Sequence, residues 1–109
     1  MHRTGFILRY LPLFKEELYH EVSYIAFKLG DLDAANRLLD KVGTAILKRL
    51  DDGPDIFEEV STRKKRNYPY YRIYVSNYIV YYVVMEESGD KIMEVRRFLH
   101  AREDRENKL

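Results

Sequence analysis

The sequence predicts a small α+β domain in which two amphipathic helices cover one face of an antiparallel sheet. Three observations lead to this prediction. The chain has 109 residues, which is enough for one hydrophobic core and too few for a second. Apolar residues recur at helical spacing in the first half of the chain, and short segments rich in tyrosine and branched residues fill the second half. We therefore expect one strand, two helices and a meander of strands, all within a single domain over residues 1–109.

The first half of the chain is expected to form a strand followed by two helices. Thr4–Leu11 is short and rich in aromatic and aliphatic residues, which is typical of a strand. Pro12 ends this strand and suits the first turn of a helix, because its missing N–H is not needed there. The apolar spacing then predicts helices over Leu13–Leu29 and Leu32–Leu50.

Each predicted helix has one apolar stripe that is expected to be buried. The stripe of the first helix is Phe14, Leu18, Val22, Ile25, Ala26 and Leu29, and that of the second is Leu32, Ala35, Leu38, Leu39, Val42, Ile46 and Leu50. Gly30 is expected to end the first helix, and Asp31 to cap the second. Gly43 costs the second helix about 1 kcal/mol relative to Ala, so it is expected to mark close packing against a neighbour.

The second half of the chain is expected to form most of the sheet. After a break at Asp51–Pro54, we expect a short edge strand over Ile56–Thr62 and a basic loop over Arg63–Tyr68. Ser76-Asn77 is predicted to form a tight hairpin turn, because Asn tolerates a positive φ. The remaining strands are predicted over Tyr70–Val75, Tyr78–Met85 and Lys91–Leu99, with a turn at Glu86–Asp90 and a charged tail at Ala101–Leu109 that forms at most a short helix.

Alternation along the strands assigns side chains to the two faces of the sheet. Arg72 and Tyr74 alternate with aliphatic residues, so we expect them on the face away from the helices. The strand Tyr78–Met85 is apolar at both parities, which indicates that both of its faces are partly covered. In the last strand, Glu94 and Arg96 are expected to be exposed. A half-covered sheet leaves an open face, where a domain of this class keeps a ligand site.

Charge is balanced overall but segregated along the chain. The net formal charge is +1, yet Pro12 to Ile56 contains six basic and nine acidic residues, a net of −3. Thr62 to Met85 contains five basic residues, no acidic residue and seven of the ten tyrosines. This pattern suits a nucleic-acid strand, because cations bind phosphates and rings stack on bases. A solvated basic loop beside half-buried strand tyrosines explains the same pattern, and on composition alone we favour that simpler explanation.

Composition also excludes several classes of function. The chain contains no Cys, which rules out disulfides, thiolate metal sites and a Cys nucleophile. The His residues at positions 2, 20 and 100 have no shared ligand spacing, and neither a Gly-rich phosphate loop nor a Ser nucleophile motif is present. We therefore expect no metal and no other cofactor. In the absence of a signal peptide or an apolar segment of bilayer length, we expect a cytoplasmic protein with no membrane partner.

Two motifs resemble a known family. One is the hairpin Tyr70–Val83, Tyr-Tyr-Arg-Ile-Tyr-Val-Ser-Asn-Tyr-Ile-Val-Tyr-Tyr-Val, and the other is the ending Leu99–Asp104, Leu-His-Ala-Arg-Glu-Asp. Together with the order of elements, they resemble the RelE/ParE superfamily, the toxins of bacterial type II toxin–antitoxin systems. The resemblance covers nearly the whole chain. It implies a two-layer RelE-like fold and a cognate antitoxin protein as partner.

The resemblance implies one of two activities. RelE-like toxins cleave mRNA in the ribosomal A site, whereas ParE-like toxins poison DNA gyrase and are not known as nucleases. The nucleases use basic residues on the hairpin strands, an Arg after the last strand and a Tyr or His near the C-terminus. Arg72 and Arg102 match two of these positions, and His100 is a candidate acid or base. Ile79 occupies the position of the second-strand Arg, and Lys108 falls near that of the C-terminal Tyr.

The resemblance thus implies a site made of catalytic and RNA-binding residues. The expected catalytic residues are Arg72, His100 and Arg102, and the expected RNA-binding residues are Arg63, Lys64, Lys65, Arg66, Tyr71, Tyr74 and Arg96. We expect a metal-independent, ribosome-dependent mRNA endoribonuclease that arrests translation, with the ribosome and mRNA as partners. Two alternatives stay open, because the nuclease set is only partly matched. They are a ParE-like DNA gyrase inhibitor and an inactive homologue that still binds its antitoxin.

Structural roles compete with these assignments. His100 is favoured as a hydrogen-bonding residue at the end of a strand over a role as an acid. Arg72 is equally expected to anchor the C-terminal tail through Glu103 or Asp104, because a partly buried Arg is commonly paired.

Overall fold

The computed structural model contains two long helices packed on one face of a five-stranded mixed sheet, as expected for an α+β fold of RelE type. The structure describes residues 5–60 and 67–104. The elements are β1 (Ile7–Tyr10), α1 (Pro12–Ser23), a π-helical turn (Tyr24–Lys28), α2 (Leu32–Asp52), β2 (Glu59–Val60), β3 (Tyr70–Val75), β4 (Tyr78–Glu87), β5 (Asp90–His100) and α3 (Ala101–Asp104).

The sheet has the strand order β1-β5-β4-β3-β2. The meander from β2 to β5 is antiparallel, as predicted. The first strand departs from the antiparallel expectation, because β1 lies parallel to β5, with Arg9 opposite Glu94. The pairing of β4 with β5 shifts register between Tyr81 and Tyr82, where Arg96 is the extra residue of a bulge.

The first helix begins where the sequence predicts and ends irregularly. Pro12 is its first residue, and Phe14 is buried. Tyr24–Lys28 then form a π-helical turn, in which the backbone N–H of Leu29 donates to the carbonyl of Tyr24 at 3.0 Å. A π-turn contains one more residue than an α-turn, so it shifts the phase of the apolar stripe. As a result Leu29 is 60% exposed, and the prediction that it is buried is wrong.

The second helix follows its predicted stripe except at Leu32, which is exposed, and at Leu39, which is only half-buried. Asp31 caps it as expected, accepting a hydrogen bond from the backbone N–H of Ala34 at 3.0 Å. Leu32 is 63% exposed rather than buried, because it lies in the first turn outside the core cluster. A Cβ placed on Gly43 would meet no neighbouring atom within 4 Å, so the predicted close packing at this position is also wrong. The buried residues of the helix are Ala35, Leu38, Val42, Ile46 and Leu50.

Two turns fix the meander, and both use positive φ angles. In the turn between β3 and β4, the positive φ of 53° is on Ser76 and not on Asn77. In the turn between β4 and β5, Ser88 and Gly89 both have positive φ, which is the pattern of a type I′ hairpin. The first edge strand of the meander is shorter than predicted and covers Glu59–Val60 within the described residues.

Two glutamates of α1 hold this helix against the sheet. Glu17 accepts hydrogen bonds from the Arg97 guanidinium at 2.8 and 3.0 Å and from the backbone N–H of Phe98 at 3.0 Å. Glu21 accepts one from the Tyr78 hydroxyl at 3.1 Å. The strand β1 ends before it reaches this part of β5, so α1 supplies the acceptor that a neighbouring strand otherwise would.

Each face of the sheet has its own buried cluster. The helix-side cluster includes Phe14, Val42, Ile46, Leu50, Ile73, Val80, Tyr82, Val95 and Phe98. The second cluster lies on the face away from α1 and α2 and is called the helix-free cluster. It consists of Tyr70, Ile79, Tyr81, Val83, Met85, Ile92 and Leu99, with Val60 and Ala101, the first residue of the short helix α3, packed against it. Tyr81 and Val83 are 0% exposed. The expectation that both faces of this strand are covered is therefore confirmed, whereas the expectation of an open second face is wrong at the centre of the sheet.

Candidate functional site

The sheet separates the residues that the sequence predicted to be catalytic. Arg72 is paired with Tyr81, so its side chain belongs to the helix-free face. His100 is paired with Tyr78, whose ring packs against the helix-side core. Because paired residues of neighbouring strands share a face, Arg72 and His100 lie on opposite faces. The structure therefore does not bring these two residues together.

His100 has contacts that suit a structural role. Its ring packs edge-on against Tyr78, with the ring centroids 5.3 Å apart. Its Nδ1 accepts a hydrogen bond from the backbone N–H of Arg102 at 3.1 Å, at the start of α3. The backbone N–H of Ala101 donates to the carbonyl of Asn77 at 2.7 Å, which fixes α3 beside the turn between β3 and β4. The side chain of Arg102 is exposed.

Arg72 and Tyr74 lie together at the margin of the helix-free face. The guanidinium carbon of Arg72 is 5.5 Å from the centroid of the Tyr74 ring, and 64% of Tyr74 is exposed. This geometry suits a cation–π contact and leaves an aromatic surface that can stack on a base. Tyr71, which was also predicted to bind RNA, lies on the other face, where it is 6% exposed and its ring stacks on Tyr82 with the centroids 5.2 Å apart.

Sequence reasoning missed Arg49 of α2. Its Nη1 donates to the Tyr82 hydroxyl at 2.9 Å and to the carbonyl of Arg72 at 3.3 Å, and its guanidinium carbon lies 3.6 Å from the centroid of the Phe57 ring. The signal was present in the sequence. Arg49 follows Ile46 by three residues and precedes Leu50 by one, which places it at the border of the buried stripe.

These groups line a cleft at the edge of β3. Its volume is about 300 Å³, and it is lined by Arg49, Phe57, Glu58, Glu59, Arg72 and Tyr74. Within the described residues, β2 pairs only with Tyr70 and Tyr71, so the rest of the β3 edge faces this cleft. Two guanidiniums beside two aromatic rings can bind an anion together with a flat group, and Glu58 and Glu59 offset part of their positive charge. We call this feature the β3-edge cleft.

A comparison with known protein families identifies the chain. The model of the family described as "ParE toxin of type II toxin-antitoxin system, parDE" matches residues 8–105. The chain belongs to the ParE toxin family. No curated protein matches the chain. Membership places the chain in the RelE/ParE superfamily of type II toxin–antitoxin toxins and implies an antitoxin as partner.

Among the described residues of this ParE-family chain, an ionic cluster centred on Glu94 lies on the helix-free face, on the β1 side. Glu94 accepts from Arg9 Nε at 2.7 Å and from Arg96 Nε at 2.8 Å, and Arg9 also binds Glu87 at 2.9 Å. Glu94 is only 4% exposed, so the prediction that it is exposed is wrong. The reason is the parallel pairing of β1, which places Arg9 directly beside the carboxylate. Arg96, predicted to bind RNA, is half-buried in this ion pair.

Burial raises the pKa of two tyrosines in the ParE-family chain, and hydrogen bonding lowers the pKa of one glutamate. Burial raises the pKa of the Tyr82 hydroxyl to about 12, so at neutral pH it is protonated and donates to the carbonyl of Pro54 at 2.8 Å. Burial, together with the negative charge of Glu21, raises the pKa of Tyr78 to about 12. The hydrogen bond from Arg9 lowers the pKa of Glu87.

Several residues with predicted roles lie in parts of the chain that the structure does not describe. The predicted RNA-binding run Arg63, Lys64, Lys65 and Arg66 lies outside the described residues, as do the side chains of Glu103 and Asp104. In the described part of the chain, no group of three His, Asp or Glu side chains is placed to hold a metal ion. Among the helices of residues 5–60 and 67–104, none has both the length and the apolar character needed to cross a membrane.

Proposed function

We propose that this type II toxin acts by binding and inhibiting DNA gyrase in the cytoplasm, and that its antitoxin prevents this. The observation that supports the proposal is the separation of Arg72 from His100 by the sheet. Membership of the ParE family supports it as well. An inhibitor that works by protein contact needs no convergence of acid, base and phosphate-binding groups on one reacting atom.

RNA cleavage has stricter geometric requirements. The group that moves the proton and the group that neutralises the phosphate must both reach one scissile phosphate, within about 3 Å of the reacting atoms. On the helix side, the Nδ1 of His100 accepts a hydrogen bond from the backbone N–H of Arg102, whereas the side chain of Arg72 lies on the opposite face. This arrangement favours gyrase inhibition over the nuclease.

The test is a supercoiling assay with purified gyrase and the purified chain. We expect the wild-type chain to inhibit supercoiling and a His100→Gln variant to inhibit equally, because the imidazole has a structural role. The variant's fold is checked by its urea midpoint. Full supercoiling at about tenfold molar excess of toxin, with cleavage of ribosome-bound mRNA by the same sample, would contradict the proposal.

A second candidate, ribosome-dependent mRNA cleavage, is favoured by the β3-edge cleft. There Arg49 and Arg72 supply cations beside the exposed ring of Tyr74. In this mechanism Arg72 and Arg102 hold the phosphate and Tyr74 stacks on a base, and the acid or base is a group other than His100, which lies on the opposite face from Arg72. Primer extension on mRNA from stalled ribosomes tests it with an Arg72→Ala, Arg102→Ala double variant and an Arg37→Ala control on the exposed side of α2. New mRNA 5′ ends that vanish only with the double variant would support cleavage.

A further inference from the structure

We propose that the outer face of α1 is a self-complementary surface through which two copies of this chain form an antiparallel, two-fold symmetric dimer. This surface, here the α1 outer face, borders a shallow depression of about 610 Å³. Its residues are Tyr19, His20, Ser23, Tyr24, Phe27 and Lys28. The inference concerns association of the chain with itself, so it does not depend on whether gyrase or mRNA is the toxin's target.

The α1 outer face is apolar and uncovered. Its lining comes entirely from α1 and the π-helical turn, so within residues 5–60 and 67–104 no other element packs over it. Phe27 is 85% exposed, Tyr19 is 60% exposed and Tyr24 is 48% exposed. Removing apolar surface from water is favourable, and exposed patches of large apolar side chains mark contacts with another protein.

The π-helical turn brings two of these rings onto one side of the helix. Tyr19 and Phe27 are eight positions apart, and in a regular α-helix their directions would differ by about 80°. A π-turn contains one residue more than an α-turn, so the pair is spaced as if by seven positions and diverges by only about 20°. The turn therefore creates a continuous aromatic surface that a regular helix would have dispersed.

The two rings are placed symmetrically about a small residue. Tyr19 precedes Ser23 by four positions, and Phe27 follows it by four. In a two-fold symmetric interface, a contact from one residue to another is repeated in the reverse sense. Two antiparallel copies of α1 that cross at Ser23 therefore place Tyr19 of each copy opposite Phe27 of the other. The short side chain of Ser23 leaves room for the two helices to approach.

The charges at the two ends of this surface are complementary in the same orientation. Lys15 and Asp31 are also symmetric about Ser23, Glu16 and Lys28 are nearly so, and all four charged residues are exposed. An antiparallel dimer therefore places Glu16 near Lys28 of the second copy, and Lys15 near its Asp31. In a parallel dimer each charge would instead face its own equivalent, and juxtaposed like charges are unfavourable. The charges thus favour a second, antiparallel copy as the occupant.

Sedimentation equilibrium of the full chain measures this association. Tyr19 to Lys28 spans nine positions, which is about 14 Å along a helix, so the interface is at the small end of specific protein contacts. We therefore expect a reversible dimer with a dissociation constant on the order of 100 µM. Phe27→Ser should weaken it by about tenfold or more, whereas Ile56→Ser, which removes another exposed apolar side chain, should leave it unchanged.

A charge exchange tests the orientation of the two copies. Lys28→Glu places two carboxylates together at each end of the interface and should weaken the dimer by about fivefold or more, and so should Glu16→Lys with two cations. The double variant Glu16→Lys, Lys28→Glu restores opposite charges and should restore the affinity. Lys41→Glu, the same change of charge at an exposed site of α2, is the control. Urea midpoints show whether each variant is folded.

A cross-link tests the position of the two-fold axis. The chain contains no Cys, so Ser23→Cys introduces a single thiol that the proposed axis places beside its own equivalent. Mild oxidation should convert this variant into a disulfide-linked dimer, because the two thiols lie within bonding reach. Thr44→Cys, at an exposed site of α2, should stay largely monomeric under the same conditions.

Other outcomes would overturn the proposal. These are a monomer at about 1 mM, an unchanged dissociation constant in Phe27→Ser, or a double charge variant no tighter than the single variants. Equal cross-linking of Ser23→Cys and Thr44→Cys would likewise contradict the assigned axis. Gyrase inhibition by the wild-type protein is measured separately, so failure of the proposed function leaves these results interpretable.

Discussion

The two faces of the sheet are equally buried at the centre, but different kinds of residue surround the buried centre on each face. On the helix side, Val80 and Tyr82 pack beneath α1 and α2 in a continuous apolar cluster. On the helix-free side, Tyr81 and Val83 are as deeply buried, yet polar groups border them on both sides. One border is the ionic cluster around Glu94, and the other is the β3-edge cleft. The helix-side cluster thus contributes to stability, whereas the borders of the other face offer charged groups that can meet a ligand.

The largest expected effect is on the helix-side cluster. Ile46 is 1% exposed where α2 meets the sheet, so Ile46→Ala should lower the free energy of unfolding by about 3 kcal/mol. Its neighbour Leu47 is 50% exposed, so Leu47→Ala should cost less than about 1 kcal/mol. Urea unfolding followed by circular dichroism measures both values. Equal losses would contradict the assigned orientation of α2.

Substitution of two valines of β4 allows the contributions of the two faces to stability to be compared directly. Val80 and Val83 are both 0% exposed, the first in the helix-side cluster and the second in the helix-free cluster. Val80→Ala and Val83→Ala should each cost about 2 kcal/mol, because each removes two buried methyl groups. The same urea titration decides the comparison. If Val83→Ala costs less than a quarter of Val80→Ala, the helix-free face is open after all.

The ionic cluster around Glu94 should contribute less to the free energy of unfolding than the buried valines do. Glu94→Gln keeps the shape of the side chain but removes its charge, so Arg9 and Arg96 lose a buried ionic acceptor, and we expect a loss of about 1.5 kcal/mol. Glu87→Gln is the matched control, because Glu87 binds Arg9 at an exposed site, and its urea midpoint should scarcely move. A midpoint shift for Glu87→Gln as large as that for Glu94→Gln would disprove the role of burial.

The smallest expected effect on stability at neutral pH comes from the hydroxyl of Tyr82 in β4, and this effect becomes larger at alkaline pH. Burial raises the pKa of Tyr82 to about 12, above its unfolded value of about 10, so the folded chain retains a proton that the unfolded chain releases. This contribution is complete below pH about 10 and is lost as the pH rises through about 12. Urea midpoints across this window should therefore fall, and they should fall less steeply in Tyr82→Phe. An identical slope in the variant would contradict the assignment.

The sequence was informative about local structure and much less so about long-range pairing. The Tyr70–Val75 hairpin strand and the Asp31 cap followed from alternation and capping chemistry, which act between near neighbours. The parallel pairing of β1 with β5 did not, because nothing in a four-residue strand specifies which edge it joins. The burial of Glu94 depends on this pairing, so the sequence did not predict it either.

The candidate site was harder to predict for a related reason. Arg72 and Tyr74 were placed on one face correctly by alternation. Arg49 reaches them from a distant helix, so no spacing within β3 could indicate it. The separation of His100 from Arg72 depends on the register of β5 against β4, including the bulge at Arg96, and a one-residue shift changes which face a side chain occupies.

Inhibition of gyrase can be tested in cells by inducing the toxin in a bacterium without its antitoxin and following amino-acid and thymidine incorporation in one culture. We expect thymidine incorporation to fall first while protein synthesis continues, because gyrase is inhibited. Early loss of protein synthesis with new mRNA 5′ ends would contradict it and would favour the nuclease at the β3-edge cleft. Unchanged incorporation of both labels would contradict toxicity itself and leave a chain that only binds its antitoxin.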